Sequence, residues 1–129
     1  MIKLTHSLRN EIYLKLDRSE VSRFLNNVAL LISGALKELI IQVEVEPKVL
    51  KKKDVISTYT LIFSISDSDS ESLEEDGENL LLKLELDSYE LLYDLLEGVL
   101  EGEEVMPEIT DIYVSAWKKE KGLGLVAVI

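Results

Sequence analysis

The side chains with the most obvious potential for chemistry are the carboxylates of segment 67–78. Acidic residues occupy positions 1, 3, 5, 9 and 12 of this twelve-residue window, the spacing at which a calcium loop places oxygen ligands. They are Asp67, Asp69, Glu71, Glu75 and Glu78. The sixth position is Ser72, where a calcium loop requires glycine for its sharp bend, and the flanking patterns predict strands instead of helices. We therefore interpret the segment as a solvated acidic loop and predict no metal site.

The remaining chemically versatile residues do not complete a catalytic site. The chain has no cysteine, which excludes thiolate nucleophiles, disulfides and cysteine-ligated metals, and His6 is its only histidine. Gly122-Leu123-Gly124 leads into a strand pattern, so it does not match a dinucleotide-binding turn, which opens a helix. The sequence accordingly predicts no catalytic residue, no cofactor and a function other than that of an enzyme.

The charge of the chain is strongly asymmetric. The net charge is −11, but residues 1–53 carry ten Lys or Arg against six acidic residues, whereas residues 54–129 carry four against nineteen. Such a field disfavours nonspecific binding to nucleic acid or anionic lipid and favours a basic protein partner. No apolar run reaches the roughly 18 residues of a membrane span. We expect a cytoplasmic protein without membrane contact, and its richness in Glu, Lys, Ile and Val is typical of a thermophile.

Two groups of carboxylates form the acidic surface that the sequence predicts. The loop contributes Asp67, Asp69, Glu71, Glu74, Glu75, Asp76 and Glu78. The second predicted helix contributes Glu90, Asp94, Glu97 and Glu101, which recur at spacings of three and four. The ordinary interpretation is a solvated face. The alternative is mimicry, in which carboxylates spaced like phosphates occupy the nucleic-acid groove of a partner.

Two lysine clusters offer a third kind of surface. They are Lys51, Lys52 and Lys53, and Lys118, Lys119 and Lys121. Both clusters are predicted in connections between strands, with Lys121-Gly122 at the tightest point of a hairpin. If the connections are equivalent, they form one basic edge with Arg9, Lys15 and Trp117 that binds phosphates and stacks a base.

Hydrophobic periodicity places these residues on elements of an α+β fold. Alternation predicts strands over 12–17, 41–45, 55–66, 80–86, 109–117 and 123–129, and apolar stripes predict two helices. Asp17 and Glu20 resemble a capping box for the first helix, whereas Asp87 or Ser88 caps the second, which ends near Gly102. We predict one domain, 1–129, in which two βαββ-like halves, approximately 8–66 and 79–129, form one mostly antiparallel sheet with two helices packed on one face.

A shift of the sequence by 68 positions supports an internal duplication of the two halves. It aligns Leu14 with Leu82 and Leu16 with Leu84 in the strand before each helix. Along the helices it aligns Val21 with Tyr89, Phe24 with Leu92, Val28 with Leu96 and Ile32 with Leu100. Both helices would therefore present equivalent apolar stripes to the sheet.

The last predicted strand is apolar on both faces, which predicts a covered surface. Val126 and Val128 occupy its second face, and Tyr113 and Trp117 occupy outward positions of the preceding strand. Such an apolar patch usually marks a protein interface. The sequence thus predicts a non-enzymatic protein-interaction module, a homodimer through the open sheet face or the terminal strand, acting as an assembly subunit or an inhibitor of a larger complex. A nucleic-acid-associated protein using the lysine loops is the alternative.

Overall fold

The computed structural model describes residues 2–6, 11–47, 49, 55–68, 70–102, 108–114 and 119–128. These residues form eight strands and two helices, which confirms the predicted α+β class. In chain order they are β1 (Ile2–His6), β2 (Glu11–Asp17), α1 (Arg18–Ser33), β3 (Leu39–Val45), β4 (Ser57–Ile65), β5 (Ser72–Asp76), β6 (Asn79–Leu84), α2 (Leu86–Leu100), β7 (Glu108–Val114) and β8 (Lys119–Val128).

The start of α1 is fixed by the predicted capping box. The Asp17 carboxylate accepts a hydrogen bond from the Glu20 backbone N–H at 2.8 Å, and the Glu20 side chain accepts one from the Asp17 N–H at 3.0 Å. These reciprocal bonds satisfy two backbone donors that a helix start leaves without intrahelical partners. The backbone hydrogen bond from Glu20, followed by that from the Ser19 hydroxyl, lowers the pKa of Asp17. The helix ends at Gly34, whose φ of 84° suits glycine.

The ends of α2 differ from the prediction. The helix begins at Leu86 after Glu85, whose side chain makes no capping hydrogen bond, so Asp87 and Ser88 lie inside the first turn and neither is the N-cap. The last helical residue is Leu100, and its carbonyl accepts a hydrogen bond at 3.2 Å from the Arg18 guanidinium. A cation at this position interacts favourably with the negative end of the helix dipole.

The strands close into a barrel with the order β1-β2-β8-β7-β5-β6-β4-β3. Antiparallel ladders join β1 to β2, β3 to β4, β5 to β6 and β7 to β8. Parallel ladders join β1 to β3, β2 to β8, β4 to β6 and β5 to β7. The sheet is therefore mixed, and the prediction of a mostly antiparallel sheet is wrong. Each parallel pair joins strands that are not consecutive in the chain, so none of these pairs can be connected by a hairpin.

The two halves of the chain repeat the same sequence of elements, but the unit is longer than predicted. Two strands precede and two follow each helix, so the predicted βαββ unit lacks its first strand, β1 or β5. Leu4 of β1 pairs with Leu14, and Leu73 of β5 pairs with Leu82, the residue that the 68-position shift aligns with Leu14. Duplication as the origin of this repeat remains a prediction.

Both helices lie at one end of the barrel. Phe63 pairs with Leu39, shortly after α1, and Ile65 pairs with Leu84, shortly before α2. The Phe24 ring of α1 contacts the Phe63 ring of β4, with centroids 5.3 Å apart. The buried side chains of both helices belong to the same hydrophobic cluster as the inward-facing strand residues. The helices thus cover an end of a closed barrel instead of one face of an open sheet.

Candidate interaction surfaces

The outward side of α2 carries a row of carboxylates. Glu90, Asp94 and Glu97 are exposed, and so is the C-cap residue Glu101. Spacings of four, three and four keep them on one side of the helix, and the opposite side is buried through Tyr89, Leu92, Leu96 and Val99. The helix sequence contains no Lys or Arg that could neutralise the row. We refer to these four carboxylates as the acidic face of α2.

The start of α2 is held by a residue from the β4–β5 connection. One carboxylate oxygen of Glu71 accepts hydrogen bonds from the Ser88 hydroxyl at 2.7 Å and from the Glu85 backbone N–H at 3.0 Å. Glu71 thus accepts the backbone N–H of the N-cap residue, the donor that an N3 side chain satisfies in a capping box, and places a negative charge at the positive end of the helix dipole. The β4–β5 connection and the helix are therefore joined by charge-assisted hydrogen bonds.

A buried tyrosine fixes the first turn of α2 against the barrel. Tyr89 is fully buried, and its hydroxyl donates to the backbone carbonyl of Ser64 in β4 at 2.7 Å. Burial raises the pKa of the Tyr89 phenol, and the negative charge of Glu71 acts in the same direction. The hydrogen bond and the burial together hold the helix, and with it the acidic face, in one orientation.

The carboxylates of segment 67–78 diverge instead of forming a calcium loop. Glu71 points to α2, whereas Glu75 lies in β5 and accepts a long hydrogen bond of 3.4 Å from the Tyr59 hydroxyl. Glu78 follows β5 in an exposed turn. Residues 72–76 form a strand, so the prediction of a solvated loop is wrong for them. The side chains of Asp67, Glu74 and Asp76 are exposed, and Asp69 lies outside the described residues. Across the described ranges, no three acidic or histidine side chains are arranged to hold a metal ion.

Tyr59 and Glu75 form a polar contact with each other on the inner side of the barrel wall. Tyr59 is buried and Glu75 is half-buried. Burial raises the pKa of the Tyr59 phenol, and the charge of Glu75 contributes to the same shift. A loop interpretation of β5 could not have revealed this contact, because it depends on the inward direction of alternate residues in a strand.

The lysine clusters are not both located in loops. Lys119 and Lys121 lie in β8, and Lys121 pairs with Ile112 and is only 2 % exposed. The predicted hairpin at Lys121-Gly122 is therefore wrong, because pairing with β7 already starts at Lys119. Lys15 is exposed in β2. Arg9, Lys51, Lys52, Lys53, Trp117 and Lys118 lie outside the described residues.

Closure of the barrel changes the setting of the predicted interface. β8 lies between β2 and β7, so it is not an edge strand, and the inner face of the sheet is occupied by the core. Tyr113 lies in β7, and Val126 and Val128 lie in β8, but the structure describes only their backbone; Trp117 lies outside it. An interface at these four residues stays a prediction.

A surface not predicted from the sequence lies on the outer side of β3, β4 and β6. Two rows cross these strands: an apolar row of Ile40, Ile62 and Leu81, and a polar row of Gln42, Thr60 and Asn79. None of the six is charged, although 30 % of the chain is. The signal was present in the predicted strand 55–66, whose outward positions contain no Asp, Glu, Lys or Arg. We refer to these six residues as the neutral outer face.

Two cavities on the described surface have polar side chains in their walls. One of about 250 Å³ lies between α1 and strands β1 and β3, where Arg23 and Asn27 adjoin Phe24. Another of about 470 Å³ adjoins the serine-rich β4–β5 connection. There the Ser66 hydroxyl donates to the Ser70 carbonyl at 2.8 Å, so hydrogen bonds within the connection help to maintain its shape.

The other residues considered for catalysis lie in strands. His6 pairs with Ile12 in the β1–β2 ladder, and Gly122 and Gly124 lie within β8. In the described ranges, no helix is both long enough and apolar enough to cross a membrane. Comparison of the chain with known proteins finds no matching family model and no matching curated protein.

Proposed function

We propose that the protein is a non-enzymatic interaction module, a homodimeric assembly subunit or inhibitor of a larger complex, that binds a basic partner through the acidic face of α2. The observation that supports this proposal is a row of exposed carboxylates on a helix held at both ends. Glu71 and Tyr89 fix its start, and Arg18 binds its last carbonyl. A preorganised surface loses little conformational entropy on binding, which favours affinity.

The charge distribution favours a basic partner over a neutral one. The chain carries a net charge of −11, and α2 contributes carboxylates but no Lys or Arg of its own. Complementary potentials of this kind accelerate association and select the orientation of the partner. Because the Debye length is about 8 Å at physiological ionic strength, binding through this face should weaken as salt is added.

Neutralising the acidic face is expected to release basic partners. The change is the triple variant Glu90→Gln, Asp94→Asn and Glu97→Gln. If each exposed charge contributes roughly 0.5 kcal/mol, affinity should fall about tenfold. Quantitative mass spectrometry of proteins captured from a host extract, at low and at physiological salt, measures the loss of the basic proteins that bind the wild type.

The matched control removes the same charge from β5 and its turn. It is the variant Glu74→Gln, Asp76→Asn and Glu78→Gln, whose three residues are also exposed. We expect it to retain the partners. Equal losses in both variants would show that net charge alone governs binding, and an unaffected α2 variant would remove the acidic face from the proposal. Displacement of the captured proteins by excess nucleic acid would identify the acidic face as a nucleic-acid mimic.

The second candidate function is nucleic-acid binding through the lysine-rich segments. The strand ends that flank them, Val45 with Ser57 and Val114 with Lys119, all lie at the barrel end opposite the helices. Clustered lysines at one end of a barrel would bind phosphates even in an acidic protein, because the local charge governs contact at short range. This common location is the observation that favours the candidate.

Reversal of the lysine charges tests nucleic-acid binding directly. The variant Lys51→Glu, Lys52→Glu and Lys53→Glu should weaken binding of a fluorescent single-stranded oligonucleotide at low salt by about tenfold or more. It should also reduce the salt slope by roughly two units, since about 0.7 counterions are released for each phosphate contact. Fluorescence anisotropy provides both values. The control variant Lys3→Glu, Arg23→Glu and Lys37→Glu should bind the oligonucleotide like the wild type. Equal losses of affinity in the two variants, or no binding by the wild type, would eliminate this function.

A further inference from the structure

The neutral outer face is unusual for the surface of this chain. Ile40 is 60 % exposed and pairs with Ile62, which in turn pairs with Leu81 across the β4–β6 ladder. Depletion of charged residues at the centre of a patch is the compositional signal that distinguishes protein interfaces from other surface. Two further exposed apolar residues, Val55 and Ile56, come directly before β4.

We propose that a second copy of the chain packs on the neutral outer face. This inference rests on the homodimeric part of the proposed function and names the surface that would carry it. Two copies with a net charge of −11 repel each other, so contact is favoured through a face whose centre carries no carboxylate. A basic partner, by contrast, would gain more from the acidic face of α2 than from a surface without charge.

The order of residues on this face is self-complementary about a two-fold axis parallel to β4. Such an axis exchanges β3 with β6 and keeps each row at its own level. Ile40 then meets Leu81 of the other copy, and Ile62 meets its own equivalent. In the polar row, Gln42 meets Asn79, so that amide donors and acceptors face each other.

Charge complementarity appears one row further towards the helices. Lys83 pairs with Ser64, and the position beyond Ser64 in the β3–β4 register is that of Glu38, directly before Leu39. Both Lys83 and Glu38 are exposed. The same axis places Lys83 of one copy opposite Glu38 of the other, twice in the dimer. The arrangement thus combines an apolar centre with two ion pairs at its margin.

The size of the face predicts a reversible dimer. Three strands spaced about 4.8 Å apart give a patch roughly 14 Å wide, about half the width of a standard interface, whose area of about 800 Å² for each partner corresponds to a square roughly 28 Å on a side. We therefore expect a dissociation constant on the order of micromolar, with dimers forming as the concentration rises.

Single cysteines allow the contacting face to be located, because the chain has none of its own. A spin label at Thr60→Cys should give an intermolecular distance of about 20 Å in double electron–electron resonance, the ~10 Å separation of packed sheets plus the reach of two labels. A label at Asp94→Cys on α2 should give a longer distance. A short distance at Asp94→Cys or at Val126→Cys instead would overturn the neutral outer face while leaving the homodimer intact. A monomer at every concentration would overturn both.

Charge exchange tests the register of the two copies. In sedimentation velocity, Lys83→Glu and Glu38→Lys should each raise the dissociation constant about fivefold, and the double variant should restore it. Ile40→Glu should raise it about tenfold or more, whereas Leu91→Glu, a similar change at an exposed leucine of α2, should have no effect. Failure of the double variant to restore association, or equal effects of the two glutamate substitutions, would contradict the proposed arrangement.

Discussion

Replacing Phe63 by alanine is expected to lower the free energy of unfolding by about 3–5 kcal/mol, the usual cost of removing a buried phenyl ring. Phe63 is 1 % exposed, and its ring contacts that of Phe24 at an interplanar angle of 59°. This pair joins α1 to the barrel wall, so the substitution leaves a cavity at the place where the helix closes the barrel. Urea denaturation followed by circular dichroism measures the loss.

The control for Phe63 is an outward residue of the same strand. Thr58 is exposed in β4, and Thr58→Ala should change the stability by about 0.5 kcal/mol or less. A double-mutant cycle with Phe24→Leu and Phe63→Leu should yield a coupling energy of roughly 0.5–1.5 kcal/mol for the aromatic pair. If Phe63→Ala were no more damaging than Thr58→Ala, the inward and outward faces of β4 would be reversed and the core described above would be wrong.

Elements with a clear local signal could be predicted from the sequence. Asp17 and Glu20 specify the start of α1 through their own side chains, and the capping box is confirmed. In β4, Tyr59, Leu61 and Phe63 alternate with polar or half-buried residues, and all three are buried as the period of two requires. These signals act within a few residues, so tertiary structure did not override them.

Elements that depend on distant partners could not be predicted in the same way. β5 has Leu73 as its one apolar residue and otherwise resembles an acidic loop; it is a strand because β6 and β7 pair with it on its two sides. In β7 the register shifts between Glu108 and Thr110, which lets both Ile109 and Ile112 be buried although three positions separate them. Strict alternation fails at such a shift.

The two candidate surfaces also differ in whether the sequence alone could predict them. The acidic face of α2 could be predicted, because the helical period and the charge pattern are both local. The neutral outer face required knowledge of which strands are neighbours: Ile40, Ile62 and Leu81 are far apart in the sequence and form a row only through the β3–β4 and β4–β6 ladders. The parallel β4–β6 ladder has no sequence signature of its own, and together with the β2–β8 ladder it joins the two halves of the barrel.

Replacing Tyr89 by phenylalanine is expected to change the free energy of unfolding by an amount that depends on pH. At neutral pH, Tyr89→Phe should cost about 1–3 kcal/mol, because the Ser64 carbonyl loses a donor in a buried setting. In the folded protein burial raises the pKa of Tyr89, whereas in the unfolded chain the phenol titrates near its usual value of about 10. The folded protein therefore keeps the Tyr89 phenol protonated at pH values at which the unfolded chain has released this proton. The contribution of Tyr89 to the free energy of unfolding is fully present below pH ~10 and falls above that pH.

The expected result is a convergence of the two proteins in alkaline solution. Above pH ~10 the wild type should lose up to about 1.4 kcal/mol for each pH unit relative to Tyr89→Phe, which has no phenol at this position to ionise. Effects of other titrating groups are common to both proteins and cancel in the difference. Urea unfolding between pH 8 and 11 at constant ionic strength, with phenolate absorbance recorded in parallel, measures this difference. Stability curves that remain parallel over this range would show that Tyr89 ionises as readily in the folded protein as in the unfolded chain, and the hydrogen bond that joins α2 to β4 would then be absent in solution.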